Sequence, residues 1–220
     1  MALTAGGARV TVLGRRRQPL EAAVASGAAA EAMAADVLSL PALPGFDILV
    51  HAAGAAESAS FLKSDDALWD RMLAANLRGA VSVTRAVLPD MLARGHGRIV
   101  HVASTAALKG YAYVSAYVAA KHALLGFCRA LATEVAGRGV TVNAVCPGFT
   151  DTAIVAESIA RITAATGRSS EAALAELTRH NPQGRLVRPD EVAAAVLFLS
   201  GPQAGAVNGQ AIAVDGGETT

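Results

Sequence analysis

Short apolar runs alternate along this chain with longer segments in which apolar residues recur at helical spacing. The runs that we predict to be β-strands cover residues 9–13, 30–37, 47–51, 98–103, 139–145 and 210–214. Val and Ile follow one another in several of these runs without regular polar alternation. That pattern is typical of strands buried on both faces of a parallel sheet.

The segments between the runs predict helices. One begins with acidic capping residues at 64–66 and continues to about residue 92, and a second runs from about 113 to 135. A third starts at Arg188-Pro-Asp-Glu, with proline and acids in its first turn. Alternation at this spacing predicts an α/β fold of three layers: one Rossmann-like domain over residues 1–220, with a doubly wound parallel sheet.

Residues 153–183 form a long, helix-forming segment between a Pro-Gly turn and a Gly-Arg-Leu-Val-Arg-Pro turn. An insertion at the carboxyl edge of a sheet is where a lid over a ligand would lie. We therefore expect a substrate lid here, and the alternative is a pair of surface helices with no gating role.

Composition narrows the class of protein. The 220 residues are 53% hydrophobic but only 4% aromatic, and the net charge is +1. These values argue against nucleic acid and anionic membrane as partners. We expect a cytoplasmic protein with Cys128 and Cys146 as reduced, buried thiols, because the sequence has no signal peptide and no apolar run that would span a membrane.

The candidate chemistry lies in the middle of the chain, at Ser104, Tyr117 and Lys121. The tyrosine and lysine are four residues apart in a predicted helix, so their side chains share one helical face. A neighbouring ammonium favours the phenolate form of a tyrosine, so we expect Lys121 to lower the pKa of Tyr117. The hydroxyl of Ser104 would stabilise charge that develops on a substrate oxygen.

These three residues, with Asn76, the run Asn143-Ala-Val-Cys-Pro-Gly148 and the tail Asn208-Gly-Gln-Ala-Ile-Ala-Val-Asp-Gly-Gly217, resemble the short-chain dehydrogenase/reductase family. The match extends from about Ala8 to the end of the chain and is similar to 3-oxoacyl thioester reductases and 3-hydroxyacyl dehydrogenases. It implies that Tyr117 is the acid/base and Ser104 the carbonyl anchor. Lys121 would also bind the nicotinamide ribose, and Asn76 would hold a water that connects Lys121 to solvent.

The resemblance also implies a set of cofactor-binding positions. They are Asp36 and Val37 beside the adenine, Ala52, Ala53 and Gly54 after the third strand, and Pro147, Gly148 and Thr152 at the nicotinamide carboxamide. His51 and Ala52 replace two asparagines that are usual in the family. Gly54 still permits close approach of the backbone to a ribose or adenine.

The cofactor preference is encoded at the end of the first predicted strand. An acid there suits the ribose 2′-hydroxyl of NAD(H), whereas cations suit the 2′-phosphate of NADP(H). The chain has Gly14-Arg15-Arg16-Arg17 and no acid. Because guanidinium groups bind phosphate well, we favour NADP(H), with NAD(H) as the alternative.

The glycine-rich phosphate loop of the family, Thr-Gly-x-x-x-Gly-x-Gly, is not in the sequence. Gly6-Gly7 precedes a strand and is better explained as a helix C-cap. Three explanations stay open for the absent loop and its preceding strand: a truncated or mis-assigned start, repacking or exchange of elements within an oligomer, or a pseudoenzyme. In the fold that the resemblance implies, that strand is central, and its absence would leave unpaired backbone groups on both sides.

Two hypotheses for function follow. The first is an oxidoreductase that transfers a hydride between NADP(H) and a ketone or secondary alcohol, with a 3-oxoacyl thioester as first choice of substrate and a small or polycyclic ketone as the alternative. The second is a cofactor-free interaction protein on the same fold. Under either hypothesis we expect a homodimer or homotetramer built on the predicted helices at 64–92 and 113–135. No metal site is predicted.

Overall fold

A computed structural model describes residues 1–220, apart from the side chains at positions 154 and 165. The helices are α1 (Ala2–Ala5), α2 (Arg17–Ala25), α3 (Asp66–Leu73), α4 (Gly79–Arg94), α5 (Ser115–Val135), α6 (Ala153–Thr166), α7 (Ser170–Thr178) and α8 (Pro189–Ser200). The strands are β1 (Thr11–Gly14), β2 (Glu31–Ala34), β3 (Ile48–His51), β4 (Gly97–Val102), β5 (Val140–Pro147) and β6 (Ala211–Val214). All six predicted strands are present, and the α/β, Rossmann-like architecture is confirmed.

The strands form two parallel sheets rather than one. Strand β1 pairs with β2, and a separate sheet has the order β3-β4-β5-β6. In the described part of the chain, strand pairing does not join β1 to β3. The break falls where the family resemblance places a further strand, which is the gap that the sequence analysis expected.

The four-stranded sheet has a helical layer on each face. On one face Ile99, Val142 and Ala144 pack in a buried cluster with residues of α4 and α5, including Leu124. On the other face Val100 and Val145 pack with Val196 and Leu199 of α8. Neighbouring residues of β4 thus pack against the helical layers on opposite faces of the sheet, which explains why the sequence of β4 shows no polar alternation.

The long helix predicted over 64–92 is divided. The Asp65 side chain caps α3 by accepting a hydrogen bond from Leu68 N at 2.8 Å. A π-helical turn then covers Ala74–Arg78 before α4 continues to Arg94 and ends at Gly95, whose φ is 64°. Wide turns of this kind insert one residue into a helix and occur often at functional sites.

The segment of residues 1–8 contains a helical cap, as predicted. Helix α1 ends at Gly6, and Gly7 has a φ of 87° while its amide donates to the Thr4 carbonyl at 3.0 Å. A positive φ at this position is the usual reason for glycine after a helix.

Among the described helices, none is long and apolar enough to cross a membrane.

Candidate active site

The predicted catalytic side chains come from two elements that meet at the carboxyl edge of the sheet. Ser104 lies just past the end of β4, and its Oγ accepts a hydrogen bond from Ala106 N at 3.1 Å. Tyr117 and Lys121 lie on the first turns of α5. The Ser104 side chain lies beside the Tyr117 hydroxyl and lowers its pKa. The structure therefore brings together the three residues that the sequence spacing selected.

Lys121 is buried beneath this pair. The residue is 4% exposed, and Nζ lies 5.7 Å from the centroid of the Tyr117 ring. Nζ also donates a hydrogen bond to the carbonyl of Val102 at 3.1 Å. The ammonium is thus held against the face of the phenol by the last residue of β4, a contact that the sequence analysis did not foresee.

Burial determines the acidity of both groups. It raises the pKa of Tyr117, and the neighbouring Ser104 hydroxyl only partly opposes this rise. Burial lowers the pKa of Lys121 to about 8. The pKa of Tyr117 is therefore raised overall and not lowered as expected, because removal from water disfavours the phenolate.

Asn76 lies in the π-helical turn and is fully buried. Its Nδ2 donates to the carbonyls of Ala55 at 2.8 Å and Met72 at 3.0 Å, and its Oδ1 accepts from Ala55 N at 3.3 Å. These bonds fix the segment that follows β3. The water-relay role of Asn76 stays a prediction.

Gly54 lies against this amide. A Cβ placed on Gly54 would come within 2.7 Å of Asn76 Oδ1 and 3.6 Å of Lys121 Nζ. Ala52 and Ala53, which precede Gly54, are exposed. The backbone after β3 is therefore exposed on one side and closely packed on the other, and its role in cofactor binding stays a prediction.

The predicted adenine side of the site lies at the ends of β1 and β2. Arg15 and Arg16 follow β1 directly, are exposed, and precede the first turn of α2. A helix N-terminus with adjacent guanidinium groups is a suitable place for a phosphate. Asp36 accepts a hydrogen bond from Leu38 N at 2.9 Å, and Val37 packs on α4, where a Cβ at Gly79 would lie 2.8 Å from Val37 Cγ2.

The predicted carboxamide side follows β5, which ends at Pro147. The amide of Gly148 donates to the Val214 carbonyl at 3.1 Å. Thr152 is exposed at the start of α6, and its hydroxyl donates to the Thr150 carbonyl at 3.2 Å.

Helices α6 and α7 form the predicted helix pair over 153–183, and Arg161 reaches from it to the Ala56 carbonyl at 3.5 Å. A gating role for the pair stays a prediction.

Two further groups of polar residues were not foreseen. His51 and His101 are register partners on β3 and β4, both buried, with ring centroids 5.5 Å apart. Tyr111 donates a hydrogen bond to Glu218, which is 107 residues away in the sequence. No local pattern in the sequence could reveal either pair, since the first depends on strand register and the second on how the tail packs.

In the described part of the chain, no three His, Cys, Asp or Glu side chains converge as metal ligands.

Comparisons with known proteins assign the family. The family profile described as Enoyl-(Acyl carrier protein) reductase matches residues 4–219. The short-chain reductase protein NovJ of Streptomyces niveus is 35% identical over 98% of this chain and 86% of its own length. D-beta-hydroxybutyrate dehydrogenase of Cupriavidus necator is 41% identical over 79% of this chain and 67% of its own length.

A solved structure gives the same result. A variant of actinorhodin polyketide ketoreductase with NADPH superposes with a TM-score of 0.93, at 36% identity, over 100% of this chain and 90% of its own. The fold and these relatives define an NAD(P)-dependent oxidoreductase. The chain belongs to the short-chain dehydrogenase/reductase family.

Proposed function

We propose that this chain transfers a hydride between NADP(H) and the carbonyl carbon of a ketone, or the carbinol carbon of the corresponding secondary alcohol. The observation that carries the proposal is the cluster of Ser104, Tyr117 and buried Lys121 at the carboxyl edge of the sheet. The relative with NADPH and the relative that acts on a 3-hydroxy acid support the same chemistry.

Ser104, Tyr117 and Lys121 would each have a different role in the transfer of the proton to the substrate oxygen. Reduction of a ketone leaves an oxyanion, which the Ser104 hydroxyl would stabilise by donating a hydrogen bond. The raised pKa of Tyr117 keeps its hydroxyl protonated at neutral pH, so it is ready to give its proton to that oxygen. Lys121, held by the Val102 carbonyl, would then stabilise the phenolate that remains.

The residues present fit the 2′-phosphate, adenine, ribose and carboxamide of NADP(H), whereas the family's glycine-rich loop for the pyrophosphate is not in the sequence. Arg15 and Arg16 offer guanidinium groups at the end of β1, Gly54 presents its backbone, and Lys121 lies beneath it. The nicotinamide would supply the hydride in reduction and accept it in oxidation. Pro147, Gly148 and Thr152 would orient the carboxamide, and Asp36 and Val37 would flank the adenine.

A 3-oxoacyl thioester is the substrate that we propose first. The matching family profile carries the name of an acyl-carrier-protein reductase, and one relative acts on D-beta-hydroxybutyrate, which is a 3-hydroxy acid. The superposed polyketide ketoreductase favours a polycyclic or polyketide ketone as the alternative. Residues 153–183 would close over either substrate.

We also propose that the chain is a cytoplasmic homodimer or homotetramer. The large apolar residues of α4 and α5 are used for the core, and none of the exposed large apolar side chains in the described structure lies on these helices. Leu197 and Phe198 of α8 are 39% and 52% exposed and are better candidates for a subunit contact. Light scattering would give the subunit number.

Titration with NADPH, followed by reduction assays, tests the function. We expect saturable binding of NADPH and faster oxidation of NADPH with acetoacetyl-coenzyme A than with a polycyclic ketone of similar solubility. The reverse order would assign the polycyclic substrate. Absence of NADPH binding at millimolar cofactor would contradict the proposal and favour the cofactor-free interaction protein.

A further inference from the structure

The tail of the chain carries a buried carboxylate that the proposed mechanism does not use. The side chain of Glu218 is 1% exposed, and Tyr111 Oη donates a hydrogen bond to its Oε1. Lys109 Nζ lies 3.6 Å from the same oxygen and donates to the Glu218 backbone carbonyl at 3.3 Å. Within the described structure Oε2 has no hydrogen-bond partner. Such burial is costly, so the arrangement calls for an explanation.

The phenol of Tyr111 connects this carboxylate to the catalytic loop. Its Oη lies 2.6 Å from Thr105 Oγ1. A phenol has one proton and Tyr111 gives it to Glu218, so the Thr105 hydroxyl must be the donor in the second bond. Thr105 directly follows Ser104, the proposed carbonyl anchor. The network therefore ends one residue from the reacting oxygen.

The ring of Tyr111 connects two more segments. Its centroid lies 6.1 Å from that of Phe149, which follows Pro147-Gly148, and 6.2 Å from that of His180, in the last part of residues 153–183. Both contacts are edge-to-face, a favoured geometry for aromatic pairs.

The chain around Glu218 packs closely on the same segments. A Cβ at Gly148 would lie 3.1 Å from Glu218 Oε2. A Cβ at Gly216 would lie only 2.1 Å from Asn181 Oδ1. The loops after β4 and β5, the end of the lid segment and the C-terminal tail therefore meet at one phenol.

We propose that Tyr111 and Glu218 form a positioning pair that holds the end of the lid segment against the Ser104 loop and so shapes the substrate pocket. The inference rests on the proposed function where it concerns substrate. The pair does not touch the reacting atoms: Glu218 fixes the Tyr111 hydroxyl, the hydroxyl fixes Thr105, and the ring supports Phe149 and His180. Lys109 offsets the buried charge.

Hydrogen exchange tests the pair without any need for turnover. Tyr111→Phe keeps the ring and removes the hydroxyl, Glu218→Gln keeps the shape and removes the charge, and Glu31→Gln, in an exposed ion pair with Arg9, is the matched control. We expect amide exchange in residues 176–184 to accelerate by about tenfold or more in both test variants. Exchange in α5 and in the control should match the original protein. Unchanged exchange at 176–184, or an equal rise in α5, would overturn the inference.

Steady-state kinetics provide the second measurement. In both variants we expect the KM for the ketone to rise by about tenfold, kcat to change by less than about threefold, and the NADPH dissociation constant to stay the same. The KM of the double variant should rise no further than that of the more impaired single variant, because the two residues act together. An unchanged KM, or additive effects, would overturn the inference. Failure of the original protein to reduce any ketone would contradict the proposed function instead, while hydrogen exchange still decides this inference.

Discussion

Lys121 Nζ lies 5.7 Å from the centre of the Tyr117 ring and is held there by a 3.1 Å hydrogen bond to the Val102 carbonyl. The ammonium therefore faces the ring of the phenol while a backbone oxygen fixes its position. Because Lys121 is buried, its charge costs free energy, and its pKa falls to about 8. The same burial raises the pKa of Tyr117.

The pKa of Lys121 predicts how ketone reduction depends on pH. Lys121 is protonated below about pH 8 and loses its charge above it. Since its charge stabilises the phenolate formed when Tyr117 gives up its proton, kcat/KM for the ketone should fall as the pH rises through about 8. The profile of kcat/KM against pH reports groups of the free enzyme and is the measurement to make. A value that stays constant to about pH 10 would contradict this assignment.

The arginines after β1 predict the cofactor preference. Replacing Arg15 and Arg16 together by Ser should raise the KM for NADPH by about tenfold or more and leave that for NADH nearly unchanged, because only NADPH carries the 2′-phosphate. Arg129→Ser, on the exposed side of α5, is the matched control. Equal losses with both cofactors would show that these arginines do not bind the phosphate.

The close packing at Gly54 predicts that a larger side chain at this position lowers the stability of the protein. Gly54→Ala would place a methyl group 2.7 Å from Asn76 Oδ1, so the free energy of unfolding should fall by about 1–3 kcal/mol. At Gly110 a Cβ would meet no atom within 4 Å, so Gly110→Ala is the control. Urea denaturation measures both variants. Equal stability of the two would mean that the segment after β3 moves freely away from Asn76.

The buried histidine pair predicts loss of stability in acid. Burial, with Lys121 nearby, lowers the pKa of His51 to about 4, and burial lowers that of His101 to about 3. Both values lie below the unfolded value of about 6.5, so below that pH the unfolded chain binds more protons than the folded chain. Stability from this pair is therefore complete above about pH 6.5 and is lost as the pH falls through the two folded-state pKa values of about 4 and about 3.

Denaturation at pH 7 and pH 5 measures this effect. The original protein should be less stable at pH 5, and His51→Asn with His101→Asn should make the difference smaller. His122→Asn, at an exposed position, should leave it unchanged. If the double variant kept the full difference between the two pH values, other groups would be responsible.

Most of the secondary structure was predictable because it depends on local pattern. The helix predicted over 113–135 begins at Ser115 and ends at Val135, and the strand predicted over 98–103 covers Gly97–Val102. The π-helical turn at 74–78 was not predictable, because the hydrogen bonds of Asn76 to Ala55 involve a segment about twenty residues earlier.

The sequence indicated which candidate residues would lie close together but not how the fold shifts their pKa values. Helical spacing brought Tyr117 and Lys121 to one face, and the resemblance to the family added Ser104. The direction of the Tyr117 pKa depends on how deeply the rest of the fold buries the ring, and sequence spacing carries no such information. For the same reason Glu218, brought to Tyr111 by the fold of the tail, had no signal in the sequence.

The central claim is that the Tyr117 hydroxyl delivers the proton in ketone reduction, and the most direct test compares Tyr117→Phe with Tyr113→Phe. Tyr113 is 69% exposed and provides a matched loss of a solvent-exposed phenol. We predict that kcat of Tyr117→Phe falls by about 10²–10⁴-fold while the NADPH dissociation constant is unchanged, and that Tyr113→Phe keeps full activity. A Tyr117→Phe enzyme that turns over within a few-fold of the original would contradict the account.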